Sequence, residues 1–255
     1  MKNELALKTV VKTFKVIELM CENRYECTLT ELAKNLQFSL GTIQRITGTL
    51  LKLGYIQRES HSKNLRLTSK WLRIGFASLN QLNLRKIAIS YLKKLNEKTN
   101  ETVSLAVLDK DDLIYIERFQ SSHHVTTNIR PGDRRPLYCT SIGKAILAFQ
   151  TESDIKEIMG RIELTKYTSK TIIDKKKLLN ELSKIKKKGF AENLGEITSD
   201  LYGMAVPIFN DVGIAVAGVN VVIPKLRFSK NKFYKLYLPS LIETGRLISK
   251  ELGNF

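Results

Sequence analysis

The 255-residue chain has little cysteine, little histidine and no long apolar run, and each shortage removes a class of protein. Its three cysteines, Cys21, Cys27 and Cys139, are odd in number and show no C-x-x-C spacing, so neither a disulfide framework nor a structural zinc site follows. The three histidines are His61 and the adjacent pair His123-His124. Neighbours in a strand point to opposite faces, so that pair cannot easily share a metal ion. No segment approaches the ~18 apolar residues of a membrane span. The N-terminus lacks the apolar core of a signal peptide, and a reducing cytoplasm is the expected location. Motifs for nucleotide and acyl chemistry are missing as well. Gly143-Lys144 invites a phosphate-loop reading, but Tyr138 stands where that motif needs glycine and Ala145 where it needs Ser or Thr. G-x-G-x-x-G after a strand and G-x-S-x-G are absent, and no motif places a histidine beside Cys139. No catalytic residue, cofactor or metal ligand is expected, and the chain is not read as an enzyme.

Acidic residues are also scarce. Twenty-five Asp and Glu against 42 Lys and Arg leave a net charge of +17, which suggests a polyanionic partner. The excess is spread along the chain: residues 1–70 hold 12 basic and 6 acidic side chains. Charge therefore supports nucleic-acid binding without locating it.

The stretch from Thr28 to Gly54 does locate it. Thr28 and Glu31 form a capping box ahead of a short helix with Leu32, Ala33 and Leu36 as its apolar stripe. Gln37-Phe38-Ser39 is a turn, and Ser39 is an N-cap for a second helix over 39–53. At 100° per residue, Leu40, Ile43, Ile46, Thr47, Leu50 and Leu53 fall on one side. Gly41, Gln44, Arg45, Gly48, Thr49 and Lys52 fall on the other, with Thr42 at the border. A slim, polar, basic face of this kind can enter the major groove. Residues 55–58 and 65–67 are strand-like around a polar basic turn, which makes a β-hairpin wing. A supporting helix over 8–20 precedes, with Val10, Val11, Phe14, Ile17 and Leu19 in helical spacing.

Beyond the wing, residues 71–84 read as a connecting helix, with the single Trp71 packing at a domain or subunit junction. A helix over 85–96 follows. The apolar period then changes from 3.6 to 2. Strands are expected at 103–108, 113–117, 125–129, 189–193, 204–209 and 214–223, with Pro207 marking an edge or bulge. Helices are expected at 141–150, 156–160, 174–188 and 230–252. The lysine clusters of 174–188 read as a solvated face opposite Leu178, Leu179, Leu182 and Ile185. The chain is thus α+β: a winged helix-turn-helix domain (1–70), a connecting helix (71–84) and an antiparallel-sheet domain with packed helices (85–255).

These segments resemble the IclR family of bacterial transcription regulators over nearly the whole chain. Gly41-Thr42-Ile43-Gln44-Arg45 lies where the family usually shows Ser-Thr-Val-x-Arg. Residues 101–107, Tyr115-Ile116-Glu117-Arg118, the run from Arg135 to Ala148 and the run from Gly203 to Phe209 are similar to the family's effector domain. The resemblance implies a GAF-like effector-binding domain, a homodimer or dimer of dimers (a homotetramer), a palindromic double-stranded DNA operator and a small-molecule effector. Arg45 and Gln44 are then expected to read bases, and Ser39, Thr42, Thr49, Lys63 and Arg66 to hold phosphates. Gly41, in place of the family's Ser, removes one hydroxyl from that helix. Effector contacts are implied near Ser141, Ile142, Asn193, Gly203, Asn220 and Val222. Members that bind small carboxylates tend to carry an acidic residue, a Cys and two Ser at the last four positions. The two asparagines here point instead to a neutral, hydroxyl-bearing ligand. The reading is of a ligand-responsive regulator, more often a repressor than an activator. The alternative is an architectural DNA-binding protein whose C-terminal domain only oligomerises.

Overall fold

The computed structural model describes residues 6–22, 26–59, 62, 64–81, 83–122 and 129–253. His61, Lys63, His123, His124 and most of the expected strand at 125–129 lie outside the described residues. The chain divides into two compact units, Met1–Gln81 and Leu82–Phe255.

The first unit packs α1 (Lys8–Glu22), α2 (Leu29–Leu36) and α3 (Leu40–Lys52) against a three-stranded sheet. That sheet has the order β1 (Glu26–Cys27), β3 (Leu65–Leu67), β2 (Ile56–Arg58), and α4 (Lys70–Gln81) leaves it. The capping box forms: the Glu31 N–H donates to Thr28 Oγ1 at 3.2 Å, and the Thr28 N–H donates to Glu31 Oε2 at 2.8 Å. Gln37 turns the chain between α2 and α3 in the left-handed region, at φ 55°. Ile43, Ile46, Thr47 and Leu50 of α3 are buried as the spacing requires. Leu40 and Leu53 are not; they sit at the two ends of the helix and are about half exposed.

The α1 expectation needs correction. The buried stripe is Val16, Ile17 and Met20, whereas Phe14 is 54% exposed and Val10 and Val11 are nearly as open. This helix has more apolar residues than one face can bury. Spacing alone therefore does not choose the packed side. Strand β1 leaves no signal in the sequence, because two residues are too few to show a period. Trp71 packs on the wing instead of waiting for a partner: its ring lies 4.7 Å from Tyr55, and its indole N–H donates to the Tyr55 carbonyl at 2.9 Å.

The second unit is a six-stranded antiparallel sheet in the order β6-β5-β4-β9-β8-β7. Its strands are β4 (Thr102–Asp109), β5 (Asp112–Phe119), β6 (Arg134–Pro136), β7 (Ala191–Leu194), β8 (Leu201–Phe209) and β9 (Ala215–Pro224). Helices α5 (Asn83–Thr99), α6 (Ser141–Leu147), α7 (Glu152–Arg161), α8 (Lys175–Lys188), α9 (Lys230–Lys232) and α10 (Leu238–Glu251) cover it. The long strands β8 and β9 are buried on both faces, so they read as continuous apolar runs. Val206 and Gly218 mark the two faces: a Cβ built on Gly245 of α10 would meet Val206, and one built on Gly218 would meet Ile142 of α6. Pro207 lies beyond the stretch where β7 pairs with β8, next to a register shift at Ile208/Phe209, so its missing N–H costs no ladder bond on that side.

The closing helix is interrupted. Residues Phe233–Tyr237 form a wider π-helical turn just ahead of Pro239, which cannot supply the N–H that a regular helix would need. Leu178, Leu182 and Ile185 of α8 are buried, and Leu179, expected with them, is exposed.

Helix α6 sits close to the sheet because small residues lie beneath it: Ala106 pairs with Gly218, and Ala205 pairs with Asn220. It is also crossed by its own preceding loop. A Cβ at Gly143 would lie 2.1 Å from the Leu137 carbonyl oxygen, whereas exposed Gly160 of α7 has open space around it. Gly143→Ala should therefore destabilise the chain by roughly 1–3 kcal/mol or more, and Gly160→Ala should stabilise it by about 0.5–1 kcal/mol. Chemical denaturation of the two variants checks the opposite signs.

Candidate functional site

Two surfaces carry the polar residues singled out from the sequence. On the first unit they lie along α3. Ser39 caps the helix: the Thr42 N–H donates to its Oγ at 3.3 Å, and the two hydroxyls lie 2.9 Å apart. Thr49 donates its hydroxyl proton to the Arg45 carbonyl at 2.9 Å. That leaves Thr49 an acceptor, not a donor, toward the outside. Gln44, Arg45, Gly41 and Gly48 are exposed. Nothing lies within 4 Å of a Cβ built on Gly41 or Gly48, so the outer face is slim as well as polar. Arg66 on β3 is half exposed and holds Glu59 across the wing at 3.4 Å, so its charge is partly compensated.

On the second unit the residues converge on a cavity of about 340 Å³. Sheet register explains the convergence. Asn193 pairs with Gly203, and Gly203 pairs with Val222, which puts three of the expected positions in one row across β7, β8 and β9. Asn220 lies two residues from Val222 and so faces the same side. The α6 cap residues Thr140 and Ser141 close the cavity from above. Gly203 keeps its centre open: a Cβ there would come within 3.1 Å of Ser141 Oγ. Ile142 does not join this lining; it is fully buried and packs on Gly218.

The polar groups of the lining differ in availability. Asn193 is spent. Its Nδ2 donates to the Cys139 carbonyl, and its Oδ1 accepts from the N–H groups of Gly195 and Glu196 at 3.0 and 2.9 Å. Asn220 is only 3% exposed, and its Oδ1 has no hydrogen-bond partner. A buried acceptor in that condition costs roughly 1–3 kcal/mol unless something donates to it. Two cations not singled out as effector contacts in the sequence also stand in the wall: Arg118 from β5 and Arg135 from β6. Burial pushes Arg118 below the ordinary guanidinium range, against the opposing pull of Tyr115 and Asp133. One Arg118 N–H donates to Ser104 Oγ at 3.2 Å. No carboxylate is present among the described lining residues. Tyr115, Tyr202, Ile129, Ile197 and Leu201 supply the apolar remainder. Such cross-strand and loop contributions leave no local spacing, although Arg118 and Arg135 do fall in the segments that carry the family resemblance.

The loop that brings Ile197 and Thr198 to the cavity is fastened from beneath. Lys144 of α6, 2% exposed, is ion-paired with Glu196, 7% exposed. Thr171 donates to the Glu196 carbonyl at 2.6 Å, and Thr168 donates to the Gly195 carbonyl at 2.7 Å. Burial pushes the Glu196 carboxyl above its usual range, while the Lys144 ammonium pulls it down. Lys144 thus has a structural partner and no phosphate to bind. Burial also pushes the Cys139 thiol up to about 12, which keeps it protonated and unreactive at neutral pH. Groups of three or more His, Cys, Asp or Glu able to hold a metal do not occur among the described residues, and no described helix is long and apolar enough to cross a membrane.

A winged helix-turn-helix unit joined in one chain to a sheet unit with a polar cavity defines a DNA-binding regulator with a small-molecule domain. The comparisons agree. Residues 9–60 match the IclR helix-turn-helix domain, and residues 76–250 match the bacterial transcriptional regulator IclR C-terminal domain. The chain belongs to the IclR family of transcriptional regulators and is not an enzyme. The HTH-type transcriptional regulator KdgR of Escherichia coli K12 is 32% identical over 248 residues, 97% of this chain and 94% of the relative. The DNA-binding transcriptional repressor YiaJ of the same organism is 27% identical over 249 residues, 96% of this chain and 88% of the relative. Among solved structures, the IclR of Thermotoga maritima is similar at a TM-score of 0.76 and 29% identity, covering 97% of this chain and 100% of that one.

Removing Lys144 would leave Glu196 buried without its counter-ion. Lys144→Met should cost about 3–5 kcal/mol in denaturant unfolding, and adding Glu196→Leu should recover most of the loss. A double variant no more stable than Lys144→Met would show that the loop is not held by this pair.

Proposed function

We propose that this protein is a cytoplasmic repressor that grips a palindromic operator with α3 and the wing and changes its grip when a small hydroxylated acid enters the cavity. The observation that carries the reading is the lining of that cavity: two guanidiniums, a buried unpartnered carboxamide oxygen, the Ser141 hydroxyl and no described carboxylate. An anionic end would answer the positive charge of the two guanidiniums. A hydroxyl elsewhere on the ligand donates to Asn220 Oδ1. This moves the ligand away from the neutral compound expected from the asparagines, because the Asn193 oxygen is already engaged by two N–H groups and two guanidiniums stand in the wall. The open cavity also weighs against a purely architectural role, in which that space would be filled. Family membership and the likeness to a named repressor support the sign of regulation.

Self-association belongs to the same proposal. Leu7, just ahead of α1, Val10, Val11 and Phe14 of α1, and Leu72 and Ile74 of α4 leave apolar surface open on the first unit that a second copy would cover.

Thermal unfolding with a panel of sugar acids and their neutral sugar counterparts tests the ligand class. An acid at 100 times its Kd should add about 2.7 kcal/mol, its neutral counterpart should add little, and Arg118→Gln should remove the difference. Equal stabilisation by the neutral sugars would refute an anionic effector. For the DNA side, Arg45→Ala should cost about 1–3 kcal/mol on a duplex selected from a random pool and relax the consensus at one position of each half-site. An equal loss on selected and scrambled duplexes would make Arg45 a phosphate contact instead.

A further inference from the structure

The first unit carries a second basic surface that the helix-turn-helix description leaves out. A concavity of about 270 Å³ runs between α1 and the flank of α3. Lys8, Thr9, Lys12 and Thr13 form one wall, and Thr42, Arg45 and Thr49 stand on the other. Its charged members are two lysines and an arginine, with no carboxylate among the described lining residues. The lysines stand four apart on α1, and Lys15 continues the same stripe three residues on, in an adjoining concavity that Lys8 and Lys12 also line. Lys12 is half-buried against the Phe38 ring at 5.2 Å, which braces its ammonium beside the turn between α2 and α3. The hydroxyl protons of Thr13 and Thr49 already go to backbone carbonyls, Thr9 at 2.9 Å and Arg45 at 2.9 Å. The free donors of the groove are therefore mainly its cations.

We infer that this groove holds the sugar-phosphate backbone at the lip of the major groove, with Lys8 and Lys12 as phosphate contacts. The inference rests on the reading of α3 as the helix that enters DNA. A major groove about 12 Å wide is just filled by a helix 10–12 Å across with its side chains. Whatever packs along the flank of the inserted helix then meets the phosphate row at the groove's edge. Here α1 is what packs there, and it presents lysines without acidic neighbours: its first turn holds no acidic residue. Arg45 is shared between the two surfaces, because it lines the α1 groove and belongs to the exposed α3 face. The phosphate row held by α1 would thus set the depth and register at which Arg45 meets the bases. The contacts from α1 carry no sequence information of their own.

The test is the salt dependence of binding by the full-length chain to a selected duplex and to a scrambled one. Each phosphate neutralised contributes about −0.9 to the slope of log K against log salt. Lys8→Ala/Lys12→Ala should make the slope shallower by about 1.8 for each half-site held, so about 3.6 for two copies on a full operator, and weaken both duplexes by the same factor, leaving their ratio unchanged. Lys8→Arg/Lys12→Arg should restore the slope, which separates lost charge from lost fold. Lys176→Ala/Lys177→Ala on α8 removes the same net charge from the other unit and should leave the slope alone. Single methylphosphonates scanned through the half-site with the unaltered protein should reveal positions whose effect disappears in the alanine variant. An unchanged slope, or an equal change from the α8 pair, would overturn the groove while leaving α3 as the reading helix. Failure of the unaltered protein to prefer any duplex would overturn both readings.

Discussion

The buried pair of Lys144 and Glu196 is the constraint around which the second unit is arranged. Two charges are taken out of water where α6 meets the loop after β7, and each is tolerable only while the other is present. Their pairing fixes three things at once. It sets the height of α6 over the small residues Ala106, Gly218 and Ala205. It holds Ser141, the first residue of that helix, over Gly203. It also keeps the loop carrying Ile197 and Thr198 against the cavity. Asn193 reinforces the same knot by spending both ends of its carboxamide on the Cys139 carbonyl and the loop N–H groups. The cavity therefore has a braced roof and lip, and the polar groups left unspent, Asn220 above all, are the ones with something to gain from a ligand.

The first unit shows the same economy in a simpler form. Its recognition surface is slim because Gly41 and Gly48 add no side chain to the outer face of α3, and it is positioned by ordinary helix caps. What leaves the unit is tied down at its root. Trp71 stacks on Tyr55 and donates to its carbonyl, Lys70 sits over the same ring, and the Thr68 hydroxyl donates to the Gly54 carbonyl. The start of α4 is thus a rigid extension of the wing.

Sequence made some of this legible and hid the rest for identifiable reasons. The capping box at Thr28, the Ser39 cap and the buried face of α3 are local: each depends on residues within four positions, and each has the predicted geometry. Most strands and helices of the second unit are readable from apolar runs and the turns between them, whereas β6, three residues long, leaves no period. The packed side of α1 was not, since Val10, Val11 and Phe14 match the helical period as well as Val16, Ile17 and Met20 do. Asn193 is expected as an effector contact, but its hydrogen bonds reach back to residue 139, and nothing in the sequence shows that its oxygen and one N–H are already engaged. Arg118 and Arg135 are the sharpest case. They meet at one cavity because β5 pairs with β6, while the residues that looked important sit on β7, β8 and β9. Charge in a wall built by tertiary pairing is visible only after the pairing is known.

The distribution of charge bears on how such a protein finds and recognises DNA. Part of the net +17 lies away from the helix-turn-helix: lysines of α8 face solvent or hold Glu181 and Glu192, and two guanidiniums line the cavity. That general excess raises the rate and reach of encounter with any polyanion and is screened within about 10 Å at 0.1 M salt. Recognition needs charges that are fixed relative to the reading helix, because only these convert a phosphate lattice into a register. In the first unit the candidates are few: Arg45 on the outer face of α3, Lys8 and Lys12 across the groove from it, and Arg66 on the wing, where Glu59 already holds it. Arg66 is partly compensated by that pair, Arg58 on β2 is exposed, and Lys8 and Lys12 add cations on the α1 side of the helix. Cations on both flanks are what would fix α3 against a phosphate lattice without reading sequence.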